Sequence, residues 1–218
     1  MRIIAGQFRR RTLLTNPGLT TRPIIDRAKV MLFDHIRHRM PGAKVLDIYS
    51  GTGTLGFESL SRGATSVVFC EQDHRAHELL VKNVEMLKVQ SQTLCWRVDC
   101  LRCSFKAQGG PWYPYNVIFF DPPYVMIEKD LHPGTLMYRS LDRLTRPELT
   151  SDDAMLVVRT PSEAKFVMPL AWETTQVISV ASMDIHLMHK RLDLVFNPTT
   201  DAAETSEIVD DAGIEPTV

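Results

Sequence analysis

No apolar run in this 218-residue chain approaches the ~18–20 residues needed to cross a bilayer. The amino end likewise lacks the apolar core of a signal peptide, so the expectation is a cytoplasmic protein without a membrane partner. Cysteine is scarce. Cys70, Cys95, Cys100 and Cys103 fall inside or beside expected strands, not in a disulfide framework, and read as reduced thiols. Cys100-Leu101-Arg102-Cys103 has half of a zinc-type spacing, but no second Cys or His pair accompanies it, and no metal is expected. Internal repeats are absent. Lys and Arg are absent from residues 201–218, which hold six acids, so residues 198–218 read as an acidic, disordered tail.

What is present is an ordinary globular composition, 44% hydrophobic and 23% charged, enough to bury the core of one domain. The net charge of −1 conceals a basic amino end. Residues 1–40 carry nine Lys/Arg against Asp26 and Asp34. This divides the chain into a basic arm over 1–23, a body of mixed charge over 24–197 and the tail, and it suggests a polyanionic partner. Residues 2–15 alternate loosely around Gly6, as in a short hairpin. Asn16-Pro17-Gly18 marks a turn, Thr21-Arg22-Pro23 ends the arm, and helical spacing runs from Ile24 to about Met40.

Strand and helix patterns then alternate. Strands are expected at Ala43–Ile48, Thr65–Cys70, Thr93–Val98, Tyr115–Phe120 and Ala154–Val158. Helices are expected at Thr54–Ser61, His74–Leu87, Asp99–Lys106 and Gly134–Thr145. This is the pattern of a parallel α/β sheet with right-handed crossovers. Trp172–Ser182 and Asp184–Phe196 read as an antiparallel pair at its edge, with His186, His189 and Lys190 on that hairpin's surface.

Chemistry concentrates at the carboxyl ends of these strands, where open α/β sheets bind ligands. Gly51-Thr52-Gly53-Thr54-Leu55-Gly56 after the first strand is a glycine turn leading into a helix, and Glu71 ends the next strand twenty residues on. The glycines let a nucleotide-like cofactor approach the backbone, and the acid suits its ribose hydroxyls. Asp47, four residues before Gly51, would repel a pyrophosphate but attract the sulfonium and ammonium of S-adenosylmethionine. Asp99, after the third strand, suits an adenine amine. Structural roles remain open for both, Asp99 as a helix N-cap and Asp47 as a helix-proximal carboxylate.

The fourth strand delivers Asp121-Pro122-Pro123-Tyr124, an acid, a stiff corner and an aromatic ring. If Asp121 and the Pro122 carbonyl each accept one N–H of an exocyclic amine, the nitrogen's lone pair is freed for attack while Tyr124 stacks on an extruded base. Arg9, Arg10, Arg11, Arg22 and Arg27 are the candidate phosphate contacts, although an appended strand or an ordering role above the cofactor would also account for the arm.

At these residues the chain resembles class I methyltransferases that act on amino groups. Met1-Arg2-Ile3-Ile4-Ala5-Gly6, Thr21-Arg22-Pro23 with Asp26-Arg27, Leu32-Phe33 and Leu60-Ser61-Arg62-Gly63-Ala64 resemble the RsmD-like family of 16S rRNA guanine-N2 methyltransferases. The chain departs from that family's pattern at Ile24-Ile25, at Tyr49-Ser50, and at Arg159-Thr160, where an acidic strand end is common. The resemblance implies a Rossmann-like fold with a mostly parallel seven-stranded sheet, a carboxyl-terminal antiparallel edge hairpin and an amino-terminal hairpin–helix extension. It implies S-adenosylmethionine as cofactor, held by Asp47, Tyr49, Ser50, Gly51, Thr52, Gly53, Glu71, Gln72, Asp99, Cys100 and Asp121. Catalysis falls to Asp121, Pro122, Pro123 and Tyr124, on ribosomal RNA or the small ribosomal subunit, by a monomer. Adenine-N6 methylation of DNA, glutamine methylation of protein and a noncatalytic RNA-binding assembly factor are the other readings. The first lacks a target-recognition domain here, and the second more often starts its corner with Asn. A dehydrogenase is disfavoured, because no His, Lys or Tyr acid stands at a strand end.

Overall fold

The computed structural model describes residues 1–15 and 24–194. The expected turn at Asn16–Gly18, the Thr21-Arg22-Pro23 segment, Arg22 itself and the acidic tail lie outside the described residues. In chain order the body contains α1 (Asp26–His35), β1 (Lys44–Ile48), α2 (Thr54–Ser61), β2 (Ser66–Glu71), α3 (His74–Leu87) and β3 (Thr93–Arg97). It continues with β4 (Tyr115–Phe120), α4 (Tyr124–Asp130), α5 (Leu136–Arg143), β5 (Thr150–Pro161), β6 (Trp172–Val180) and β7 (Met183–Lys190). The seven strands form one sheet in the order β3-β2-β1-β4-β5-β7-β6. The first five pair in parallel, and β7 runs antiparallel to both β5 and β6.

Strand parity sorts the core into two layers. Val45, Val67, Phe69, Val117, Phe119 and Val157 pack with α1, α2 and α3. Leu46, Ile48, Val68, Ile118, Phe120, Leu156 and Val158 pack beneath α4 and α5. Both faces are covered, which is why these strands read as continuous apolar runs. Parity also puts Asp47, Asp121 and Arg159 on the α1–α3 side. The in-register pairs Ile48↔Phe120 and Phe120↔Val158 bring the ends of β1, β4 and β5 level.

Several expectations are corrected. Asp99–Lys106 forms no helix. It is an irregular loop whose Cys100, Cys103, Phe105 and Ala107 are buried, so its apolar residues anchor a loop instead of a helix face. α1 stops at His35 and gives way to a 3-10 turn at Arg37–Arg39. α4 was not anticipated. Pro123 sits at its N-cap and its carbonyl accepts the Met126 N–H at 2.9 Å, so the second proline of the stiff corner also starts a helix. The last strand ends at Lys190. Lys190 is buried, with Nζ donating to the Thr150 carbonyl at 3.4 Å and to its hydroxyl at 3.3 Å, and His186 meets the Thr160 hydroxyl at 3.2 Å. Neither is a free surface side chain.

The amino-terminal hairpin is closed by a single bridge, Arg2↔Thr12, and is bonded into the body. Glu58 on α2 is fully buried, and its carboxylate accepts the N–H groups of Ile4 (2.7 Å) and Ala5 (3.1 Å) and Arg62 Nε (2.8 Å). The Phe8 N–H donates to Ser61 Oγ at 2.9 Å and the Gln7 N–H to the Ser61 carbonyl at 2.9 Å. Gly6 has φ +81°, and a Cβ there would fall 1.6 Å from the Ser61 carbonyl oxygen, so only glycine allows this approach. Asn83 on α3 completes the attachment. Its Oδ1 accepts the Leu14 N–H (2.8 Å), and its Nδ2 donates to the carbonyls of Leu14 (3.1 Å) and Thr52 (3.0 Å).

Candidate active site at the carboxyl edge of the sheet

The glycine turn is built by backbone conformations that few side chains tolerate. Tyr49, Gly51 and Gly53 have φ of +60°, +56° and +86°. A Cβ on Gly53 would meet Phe57 Cε2 at 2.5 Å, and one on Gly56 would meet Phe69 Cε1 at 2.2 Å, so these two glycines seat α2 against the sheet and α3. Gly51 differs. A Cβ there would meet nothing within 4 Å, so the open space lies directly over this residue.

One acid borders that space directly, and two more stand near this end of the sheet. Glu71, at the end of β2, accepts the Gly51 N–H through Oε2 and the Asp73 N–H through Oε1, each at 2.7 Å. Burial raises its carboxyl above the ordinary range, and those backbone donors oppose the rise. Asp47 is 1% exposed, and its Oδ2 accepts the Gly56 N–H at 2.9 Å. Burial pushes Asp47 up to about 8, the Gly56 N–H opposes this, and the nearby Asp121 and Glu71 carboxylates add to it. The Asp99 carboxylate accepts the Leu101 N–H at 3.0 Å, an Asx-type turn in place of the expected helix cap.

The remaining cofactor candidates divide by exposure. The Tyr49 ring meets Phe120 edge-on at 5.5 Å. The Tyr49 hydroxyl and Ser50 Oγ are buried with no hydrogen-bond partner among the described residues. Such orphaned groups are expected where a polar ligand completes the site. Thr52 is buried and offers its carbonyl to Asn83, while Gln72 is exposed. Cys100 is buried with its thiol 3.6 Å from the Cys70 carbonyl, so its side chain belongs to the core layer. All four cysteines are free thiols.

Asp121 stands one residue beyond β4, its own N–H donating to the Ile48 carbonyl at 3.3 Å. Its Oδ1 accepts Arg159 Nε at 2.7 Å, and the two side chains are only 16% and 8% exposed. Burial raises the Asp121 carboxyl and the Arg159 guanidinium pulls it back down. The same guanidinium lies 5.4 Å from the centre of the Tyr124 ring. A narrow cleft opens beside the pair, walled by Ile24, Leu32, Leu55, Val157 and Ile185. The corner, the glycine turn and Glu71 are thus brought to one edge. Of the phosphate candidates, Arg9, Arg10, Arg11 and Arg27 are exposed.

Three contributors escaped the sequence reading. Arg159 carried a signal, since a buried cation in a strand of a parallel sheet requires a partner at the same level. Glu58 also did, being the one charge among the buried residues of α2. Asn83 did not, because a polar residue on an amphipathic helix is the ordinary case.

Among the described residues no helix is long and apolar enough to cross a membrane, and no group of three His, Cys, Asp or Glu could hold a metal ion. Residues 1–187 match the family model described as Conserved hypothetical protein 95. A protein of Escherichia coli K12 named Ribosomal RNA small subunit methyltransferase D is 38% identical over 126 residues. That alignment covers 57% of this chain and 60% of the relative, so the match spans three-fifths of that protein's length. The protein of the same name from Haemophilus influenzae is 31% identical over 186 residues, 82% of this chain and 91% of that one. A solved Escherichia coli structure, described as a candidate methyltransferase (yhhF), superposes with TM-score 0.71 at 29% identity, over 88% of this chain and 98% of that one.

Proposed function

Because the chain belongs to the family described as Conserved hypothetical protein 95, among whose relatives are small-subunit rRNA methyltransferases D, we propose that it is an S-adenosylmethionine-dependent methyltransferase. Its acceptor is the exocyclic N2 amine of a guanine in small-subunit rRNA, and it works in the cytoplasm. The observation that carries this reading is the arrangement at one sheet edge of a glycine turn open over Gly51, the Glu71 carboxylate on its N–H, and the Asp121 corner held by Arg159.

The donor set fits the cofactor. Gly51 leaves room for it, Glu71 and Asp99 suit ribose and adenine, and Tyr49 and Ser50 have hydroxyls to satisfy. The Glu71 and Asp99 carboxylates disfavour an anionic ligand and suit one carrying a sulfonium and an ammonium. When bound, S-adenosylmethionine supplies an electrophilic methyl carbon, given up with its bond pair returning to sulfur.

The protein's share is positioning and charge. Asp121 Oδ2, left by the Arg159 contact at Oδ1, can accept an amine N–H and afterwards take the nitrogen's surplus proton. The Pro122 carbonyl can accept the second N–H. Tyr124 would stack the base on the ring face opposite Arg159. The exposed Arg9, Arg10, Arg11 and Arg27 supply phosphate contacts, the first three from a hairpin hydrogen-bonded to α2 and α3.

The test is label transfer from methyl-tritiated S-adenosylmethionine to unmodified small-subunit particles, free rRNA, duplex DNA and a protein extract. Label in rRNA is the expected result. Label confined to DNA or protein refutes the RNA reading.

A further inference from the structure

We propose that Arg159 is a positioning residue of the transfer reaction: it fixes one oxygen of Asp121 and braces Tyr124, so that the other oxygen and the ring meet the acceptor amine in a set relation. This inference rests on the transferase reading above and assigns a role that the catalytic corner alone does not contain. The contact is geometric first. Val158 pairs in register with Phe120, so the next residue on β5, Arg159, is level with the residue just beyond β4, Asp121. Parity turns both to the α1–α3 side, and Nε reaches Oδ1 at 2.7 Å. The guanidinium plane is wide enough to serve a second group, and its Cζ lies 5.4 Å from the Tyr124 ring centre. One side chain therefore touches both chemistry-bearing residues flanking the two prolines. Pro122 and Pro123 stiffen the backbone between them but cannot orient either side chain.

The surroundings show why a cation is required there. Among the described residues, the charged groups facing Asp121 are Arg159 from β5 and the Asp47 carboxyl from β1. What α1, α2 and β7 contribute to this wall is apolar, in Leu32, Leu55 and Ile185. In such a setting a lone carboxylate would retain its proton, and a protonated Asp121 would lose acceptor strength at the oxygen the amine needs. The Arg159 contact opposes this and also removes the rotational freedom of the carboxylate. Asp47 acts in the other direction, so the balance at this corner depends on Arg159.

A merely structural ion pair would change stability and leave the pH dependence of the chemical step alone. The experiment measures single-turnover methyl transfer against pH at saturating cofactor, with cofactor affinity by calorimetry, for wild type, R159M and R159K. In R159M the acid limb of the rate profile moves up by about one to three pH units. Its maximal rate falls at least about tenfold, while cofactor affinity stays within about threefold. In R159K the acid limb stays near that of wild type because the charge is kept. The rate still falls, because an ammonium has neither the fork nor the flat face. An active wild type whose R159M variant keeps both its acid limb and its rate overturns the role of Arg159 alone. Should R159M fail to fold, an R159K variant with full wild-type rate overturns it equally. A wild type that transfers no methyl group overturns the transferase reading and this inference with it.

Discussion

Replacing Asn83 with Ala should both destabilise the fold and weaken cofactor binding, because one buried amide joins the amino-terminal hairpin to the glycine turn. Three hydrogen bonds are lost, two to Leu14 and one to the Thr52 carbonyl. Leu14 is 43% exposed, so water can replace most of what its backbone loses, at about 1 kcal/mol for the two groups. The Thr52 carbonyl belongs to a buried residue and would be stranded, costing about 1–3 kcal/mol. The expected loss is therefore about 3 kcal/mol, which for a chain of this size lowers Tm by roughly 6–12 °C. Asn83→Asp should do no better, since a carboxylate keeps the Leu14 N–H but faces two carbonyl oxygens. Urea unfolding with an unchanged slope gives the stability, and calorimetry with S-adenosylhomocysteine gives the binding. A loss below about 0.5 kcal/mol would refute the assignment of these bonds as supports. Lost stability with unaltered binding would refute the coupling to the glycine turn.

The glycines should separate by function. Gly51→Ala costs only about 1 kcal/mol of backbone strain but fills the open space, so cofactor binding is lost in a folded protein; calorimetry beside thermal melting checks this. Gly56→Ala, 2.2 Å from Phe69, should instead cost about 1–3 kcal/mol of stability. Asp47 predicts a pH effect. Its carboxyl goes from an ordinary 3.8 in the unfolded chain to about 8 in the fold, so the unfolded state releases its proton first. Its contribution to stability is present below pH ~4 and is lost as pH rises toward ~8, and Asp47→Asn should flatten that decline in denaturation measured across the range. Replacing the exposed Arg9, Arg10 and Arg11 with Ala should leave Tm unchanged, weaken RNA binding and reduce its salt slope by about three; unchanged RNA affinity would return the hairpin to a structural role.

The parts legible in the sequence are those that local pattern determines. α2 and α3 have the expected limits, because Gly53 and Asp73 stand at their starts and apolar periodicity fills the rest. The strands were visible because a sheet covered on both faces needs unbroken apolar runs. The Asp99–Lys106 loop resembles a helix in sequence for a related reason: its buried Cys100, Cys103 and Phe105 mimic a helix face while satisfying a loop. α4 was hidden by the prolines, which signal a turn and serve equally to start a helix. At the site, the motif acids and glycines could be found from spacing alone. Arg159, Glu58 and Asn83 act through register and packing, and their partners lie 38, 53 and 69 residues away. Only the folded sheet edge brings Arg159 to Asp121.

In the proposed reaction Asp121 presents an exocyclic guanine amine to a bound methyl donor. Nucleoside mass spectrometry of rRNA from unmodified small-subunit particles, after incubation with cofactor and either wild type or Asp121→Ala, tests it directly. N2-methylguanosine is expected with wild type and none with Asp121→Ala, whose affinity for S-adenosylhomocysteine persists. Methylation of another base, or N2-methylguanosine produced by the Asp121→Ala protein, would contradict it.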